Sequence, residues 1–143
     1  MTPEQVKTEL RQYLPTKSNL AAAKEELSAL RSQLDGLRAV VNSGMPMGTG
    51  GVSDPVADSI LRLEAATARL ERSIDELAGR IVRTEQLIIL ADDAYGQSII
   101  RWRWQRGVPF RDICAKVHLE HTAMFEHYER AIAEISDKTE RAD

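Results

Sequence analysis

The sequence predicts an all-α chain in which long coiled-coil-like helices precede a C-terminal unit of shorter ones. Three observations lead there. Ala, Leu, Glu and Arg dominate the 143 residues and aromatics are few, a composition that favours helix. Apolar residues recur at alternating spacings of three and four from Leu20 to Val41 and again from Val56 to Ile88, which is the heptad signal. From Ser98 to Ile135, short helical runs alternate with breaks at Gly107-Val108-Pro109 and near His118.

The first element expected is a short amphipathic helix over Thr2–Leu14. Thr2 can cap it, Pro3 suits the first helical position, and Gln5 completes a capping box. Pro15 is expected to end it. A second helix, Ser18–Val41, carries Leu20, Leu27, Leu34 and Val41 at one heptad position and Ala23, Leu30 and Leu37 at the other. So short a repeat fits a local helical hairpin as well as a zipper.

Asn42 to Val52 holds four glycines and a proline and reads as a linker. Asp54 and Pro55 then restart helix as cap and first residue. The run that follows places Val56, Ile60, Leu63, Leu70, Ile74, Leu77, Ile81 and Ile88 in register, with Thr67 and Thr84 in the remaining core slots. Each buried threonine hydroxyl must find a hydrogen-bond partner. A rod of roughly 50 Å cannot bury its stripe alone. It needs the preceding heptad helix, a second copy of itself, or both.

Asp92 or Asp93 is placed to cap the helix containing Ile99 to Gln105, and Gly107 to end it. Phe110, Ile113, Cys114 and Val117 give the next helix its buried face. His118 then occupies a tight turn in a left-handed conformation, which histidine tolerates less well than glycine. The last helix is expected over His121–Ile135, with Met124, Tyr128, Ala131, Ile132 and Ile135 inward. Two short helices about such a turn form a helix-turn-helix, whose second helix usually enters the DNA major groove. The organisation expected is therefore N-terminal helices over 1–41, a linker over 42–53, a long heptad helix over 54–90, a helix-turn-helix unit over 91–136 and a tail over 137–143.

Charge bounds the function only loosely. The formal net charge of −3 does not announce a nucleic-acid binder, although distribution matters more than the sum. The one cysteine excludes an intramolecular disulfide and suits a reducing compartment. No apolar run approaches the roughly 20 residues of a membrane span, and MTPEQVKTEL has no signal segment. A cytoplasmic location is expected. Cys114, His118 and His121 have spacings suggestive of a metal, but a zinc site needs more ligands. Trp102 and Trp104 are placed to stack bases or, more simply, to fill a core. Neither a paired nucleophile and base nor a phosphate-cradling glycine loop is evident, so no enzyme, cofactor or metal is expected.

Trp102-Arg103-Trp104, Gly107, Phe110-Arg111-Asp112-Ile113-Cys114 and Arg130-Ala131-Ile132 together resemble the helix-turn-helix of sigma-factor region four. Set behind a heptad helix and a Gly-rich linker, this arrangement is similar to the ArpU/RinA-type phage late-gene transcription regulators. The resemblance covers roughly the last 45 residues. It implies sequence-specific binding of phage double-stranded DNA and activation of late genes in the bacterial host cytoplasm, without catalysis, while the heptad helices are expected to set a homo-oligomeric state. It implies base-facing roles for His121, Thr122, Phe125 and Glu126 on the recognition helix.

Departures from that pattern are His118 for the turn glycine, Glu120 for the serine cap, and Glu126, His127 and Glu129 at positions usually basic. Acidic side chains facing the groove oppose phosphate contact. Arg101, Arg103, Arg106, Arg111 and Lys116 form a locally basic segment, opposed only by Asp112. These five either contact phosphates or pair with acids of the last helix or the rod. Two other readings remain open. One is a protein-interaction module, docking on host RNA polymerase or another regulator through its acidic last helix. The other is a phage packaging component of small-terminase type.

Overall fold

Thr2 starts the first helix of the computed structural model, in which residues 1–42 and 55–142 are described. Its hydroxyl accepts from the Gln5 backbone N–H at 3.2 Å, and Gln5 Oε1 accepts from the Thr2 N–H at 2.8 Å. This reciprocal pair satisfies two of the donors that every helix N-terminus leaves unpaired. The helix, α1, spans Pro3–Arg11. It is followed by α2 (Tyr13–Asn42), α3 (Pro55–Ile89), α4 (Ala94–Ile100), a π-helical turn (Arg101–Gln105), α5 (Phe110–Val117) and α6 (His121–Ala142). Every element among the described residues is helical, so the chain is all-α. No helix among them is long and apolar enough to cross a membrane.

Pro15 does not end α1. The break falls at Gln12, and Pro15 sits in the first turn of α2. There its missing N–H is no loss, because the first turn of a helix has no intrahelical acceptors for those donors. Thr16 makes the first such bond, its N–H reaching Gln12 O at 3.0 Å. The expected linker over 42–53 and the Asp54 cap lie outside the described residues, except that Asn42 is the last residue of α2.

The chain divides into two units. The unit Asn19–Leu77 pairs α2 with α3. Arg31 Nη2 meets Glu71 Oε1 at 3.1 Å and Arg38 Nη2 meets Glu64 Oε1 at 3.0 Å. As numbers rise on one helix they fall on the other, so the two helices run antiparallel. Leu27 and Leu34 are buried and Leu20, Ala23, Leu30, Leu37, Leu63, Leu70 and Ile74 half-buried. The heptad stripe thus finds its partner within the chain. Val41, expected in that stripe, is exposed at the end of α2.

The two threonines fare differently. Thr84 Oγ1 donates to Arg80 O at 3.1 Å, one turn back. Thr67 Oγ1 is buried with no hydrogen-bond partner.

The other unit contains Met1–Ser18 and Ala78–Asp143. The expected grouping of residues 1–41 is corrected here. Val6 and Leu10 of α1 are fully buried with Ile88, Ile99, Ile100, Ile113, Met124, Ile132 and Ile135 in one core. The short two-residue stripe on α1 joins a core made by the end of α3 and the C-terminal helices. The carbonyls at the end of α3 are taken up by this unit: Gln97 Nε2 donates to Ile88 O and Ala91 O, and Lys138 Nζ to Leu90 O at 2.8 Å.

Residues 137–142 are not a tail, since α6 continues through Ala142. Ser136 is buried, and Lys138 reaches both Leu90 O and the Asp92 carboxylate, which holds the extra turns in place.

Candidate nucleic-acid interface

The site is built on the segment from α4 to the start of α6. Asp93 caps α4, its Oδ1 accepting from the Gly96 N–H at 2.9 Å. Gly96 lets α4 lie directly on α6: a Cβ there would stand 2.5 Å from Ala131 Cβ and from His127 O. The helix then widens into the π turn that carries Trp102 and Trp104, and ends as Gly107 adopts φ +71°. Val108 N–H closes the break on Trp102 O at 3.0 Å. Past α5, His118 takes φ 57°, ψ 41°, the left-handed conformation expected of it. Leu119 behind it packs against the core.

Both tryptophans are half-buried against that core. Trp104 Nε1 donates to Tyr128 OH at 3.2 Å. Burial pushes the Tyr128 phenol above its usual pKa, against the lowering effects of the Trp104 bond and the Lys7 charge. Phe110 meets Tyr128 edge-on at 5.1 Å and Trp104 at 6.2 Å. Cys114 turns its thiol to Met124 Sδ, 3.6 Å away. Among the described residues no group of three or more His, Cys, Asp or Glu is placed to hold a metal.

Among the described residues, the five basic residues of this segment have no acidic partner. Arg101 Nη1 donates to Gln105 Oε1 at 3.2 Å. The Arg103 guanidinium lies 4.5 Å from the Trp104 ring centre and 5.2 Å from that of Phe110, and its Nε is buried without a partner. Arg106 and Lys116 both lie on the Trp102 ring, at 4.4 and 4.6 Å. Arg111 is exposed, and among the described residues nothing pairs with it. Among the described residues, the expected alternative of ion pairing with acids of α6 or the rod is therefore not met. Aromatic faces hold three of the five cations, an arrangement that leaves their charge uncompensated.

Of the four recognition-helix candidates, His121, Thr122 and Glu126 are exposed on the first turns of α6. Phe125 is not free to face outward. It is half-buried, 5.0 Å from Phe110 and 4.8 Å from His121. A phenyl ring gains more from joining that aromatic cluster than from water.

The acids of α6 are less concentrated on one face than their number suggests. Glu129 meets Lys7 at 3.2 Å. Glu134 accepts from the backbone N–H groups of Asp92 and Asp93 at 3.0 and 3.2 Å. A cluster that sequence reading missed lies at the same end: Asp93 Oδ2 receives His127 Nδ1 at 2.8 Å and Arg130 Nη1 at 3.0 Å. Burial raises the Asp93 pKa, but the Gly96 N–H, His127 and Arg130 outweigh it and hold the carboxyl below its usual range. The sequence offered Asp92 or Asp93 as the cap, and the structure selects Asp93. Partners more than thirty residues away were not legible.

No family model matches the chain, and no curated protein or solved structure matches it significantly.

Proposed function

We propose that the protein is a non-enzymatic, DNA-binding regulator that grips the duplex through the basic segment Arg101–Lys116 and presents the start of α6 to the major groove. The observation that carries this reading is a set of five cations that, among the described residues, have no carboxylate partner, and that lie on and just after the π turn and on α5, the first of two helices about the His118 turn. Uncompensated arginines and lysines on a rigid surface are what phosphate contact requires. The acids that counted against the reading are partly removed from it, because Glu129 and Glu134 are engaged elsewhere in the unit.

On this reading the helix-turn-helix is Phe110–Val117, the His118 turn and the first turns of α6. His121, Thr122 and Glu126 are the base-facing candidates. Glutamate accepts a hydrogen bond from cytosine N4. The resemblance to phage late-gene regulators supplies the setting, a bacterial host cytoplasm and phage DNA as target. On this reading the heptad helices also set the oligomeric state.

One observation favours a second reading, a protein-interaction module docking on host RNA polymerase. Glu120 and Glu126 are exposed beside the turn, and no basic residue accompanies them on the first turns of α6. Titration of labelled duplex DNA, followed by anisotropy, separates the two. The DNA reading expects saturable binding that Arg111→Ala weakens on every sequence. Absence of binding at low salt transfers the function to the interaction reading.

A further inference from the structure

We propose that the cleft between the start of α4 and the end of α5 seats one phosphodiester group of a DNA backbone; the inference rests on the DNA-binding reading above. Ala94, Tyr95 and Ser98 line it from α4, and Lys116, Val117 and His118 line it from α5 and the turn, around a space of about 370 Å³. That volume lies within the range of small-ligand pockets, about 300–1,000 Å³, and admits a phosphodiester with its flanking sugar.

Every polar side chain on the cleft can donate to an anion. Tyr95 and Ser98 bring hydroxyls, His118 a ring N–H and Lys116 an ammonium. Among the described residues, none of these four side chains has a hydrogen-bond or ion-pair partner. No carboxylate lines the space. Asp93, next to Ala94 in sequence, is taken up by the Gly96 N–H, His127 and Arg130. Asp112 and Glu120, the acids nearest Lys116 and His118 in sequence, lie outside the lining. Two of the donors are also held in place. The Tyr95 ring stands 5.0 Å from that of His127, which Asp93 fixes in turn. Trp102, one helical turn after Ser98, holds the Lys116 ammonium 4.6 Å from its ring centre. Donors from two elements thus converge on one space, and the charged one among them makes the stronger kind of hydrogen bond to a phosphate oxygen. His118 stands three residues before His121, so a phosphate seated here lies beside the start of α6. Backbone contacts of that kind fix the register of a helix on the duplex.

The test measures the affinity of the full chain for a labelled random-sequence duplex at several salt concentrations, with Tyr95→Phe, Ser98→Ala, Lys116→Gln and Tyr95→Phe combined with Lys116→Gln. Tyr95 and Lys116 are exposed, and alanine suits the helix at Ser98, so native melts are expected of each variant. Tyr95→Phe and Ser98→Ala should each weaken binding about fivefold with the salt slope unchanged, since neither removes a charge. Lys116→Gln should weaken it about tenfold and make the slope shallower by about 0.9. The double variant should lose less than the product of its two singles, because both side chains serve one phosphate. Full additivity overturns the seat in favour of separate contacts. Parent affinity in both neutral variants, while the parent protein binds, overturns the seat and leaves the DNA reading standing. A parent protein that binds no duplex even at low salt overturns both. Inorganic phosphate is titrated alongside, and Tyr95-dependent binding of it without duplex binding would reassign the cleft to a free phosphate.

Discussion

The Asp93 carboxylate caps α4 and at the same time receives His127 of α6 at 2.8 Å, so one side chain both starts a helix and ties it to another. Its side chain is only 7% exposed. Burial alone would raise its pKa, but the Gly96 N–H, His127 and Arg130 bring it below the ordinary value. A carboxylate with a depressed folded-state pKa contributes stability fully above the unfolded value, about 3.9, and loses it as pH falls through the folded one. Unfolding midpoints measured across the acid range should fall from about pH 4 downward. Asp93→Asn keeps a capping oxygen and should flatten that fall. An unchanged acid limb in the variant would place the sensitivity elsewhere.

Gly96 is the contact point between α4 and α6. A methyl group there has no room beside Ala131 Cβ and His127 O, both backbone-linked and unable to swing away. Gly96→Ala should therefore destabilise the protein by about 1–3 kcal/mol, although alanine is intrinsically the better helix former. Denaturant midpoints decide it, and a gain in stability would contradict the close approach.

His118 holds φ 57° after α5. Glycine takes that conformation without the side-chain clash, so His118→Gly should raise stability by about 1 kcal/mol. The side chain is exposed and makes no hydrogen bond or ring contact among the described residues, so nothing offsets the gain. Thermal melts of the pair of proteins read the sign directly.

Thr67 buries its hydroxyl without a partner in the helical hairpin. Valine has the same shape and no polar atom to desolvate. Thr67→Val should stabilise by about 1 kcal/mol, whereas Thr84→Val, which loses a bond to Arg80 O, should not. Equal effects at the two positions would refute the distinction.

Much of the fold was legible because its causes are local. The Thr2 capping box, the Asp93 cap, the Gly107 break, the left-handed His118 and the inward face of α6 each depend on residues a few positions apart. What the sequence could not disclose were choices between distant partners. Pro15 suits a helix start as well as a stop, and only the Gln12 break decides between them. The stripe of Val6 and Leu10 could have covered either unit, and the apolar faces of α4 to α6 claimed it. In the site, the residue types and their order were legible. The stacking of Arg103, Arg106 and Lys116 on indole and phenyl rings was not, since it arises from where the π turn leaves Trp102 and Trp104. Phe125 has helical spacing that permits either face, and the ring of Phe110 turned it inward.

The salt dependence of duplex binding tests the central claim most directly. With up to five cations contacting phosphates, the logarithm of the association constant should fall linearly with the logarithm of salt concentration, at a slope between about −2 and −4.5. Replacing Arg106, Arg111 and Lys116 together by glutamine should make that slope shallower by about 2 to 3. Binding that is absent at the lowest salt, or that persists with no salt dependence, would contradict the account.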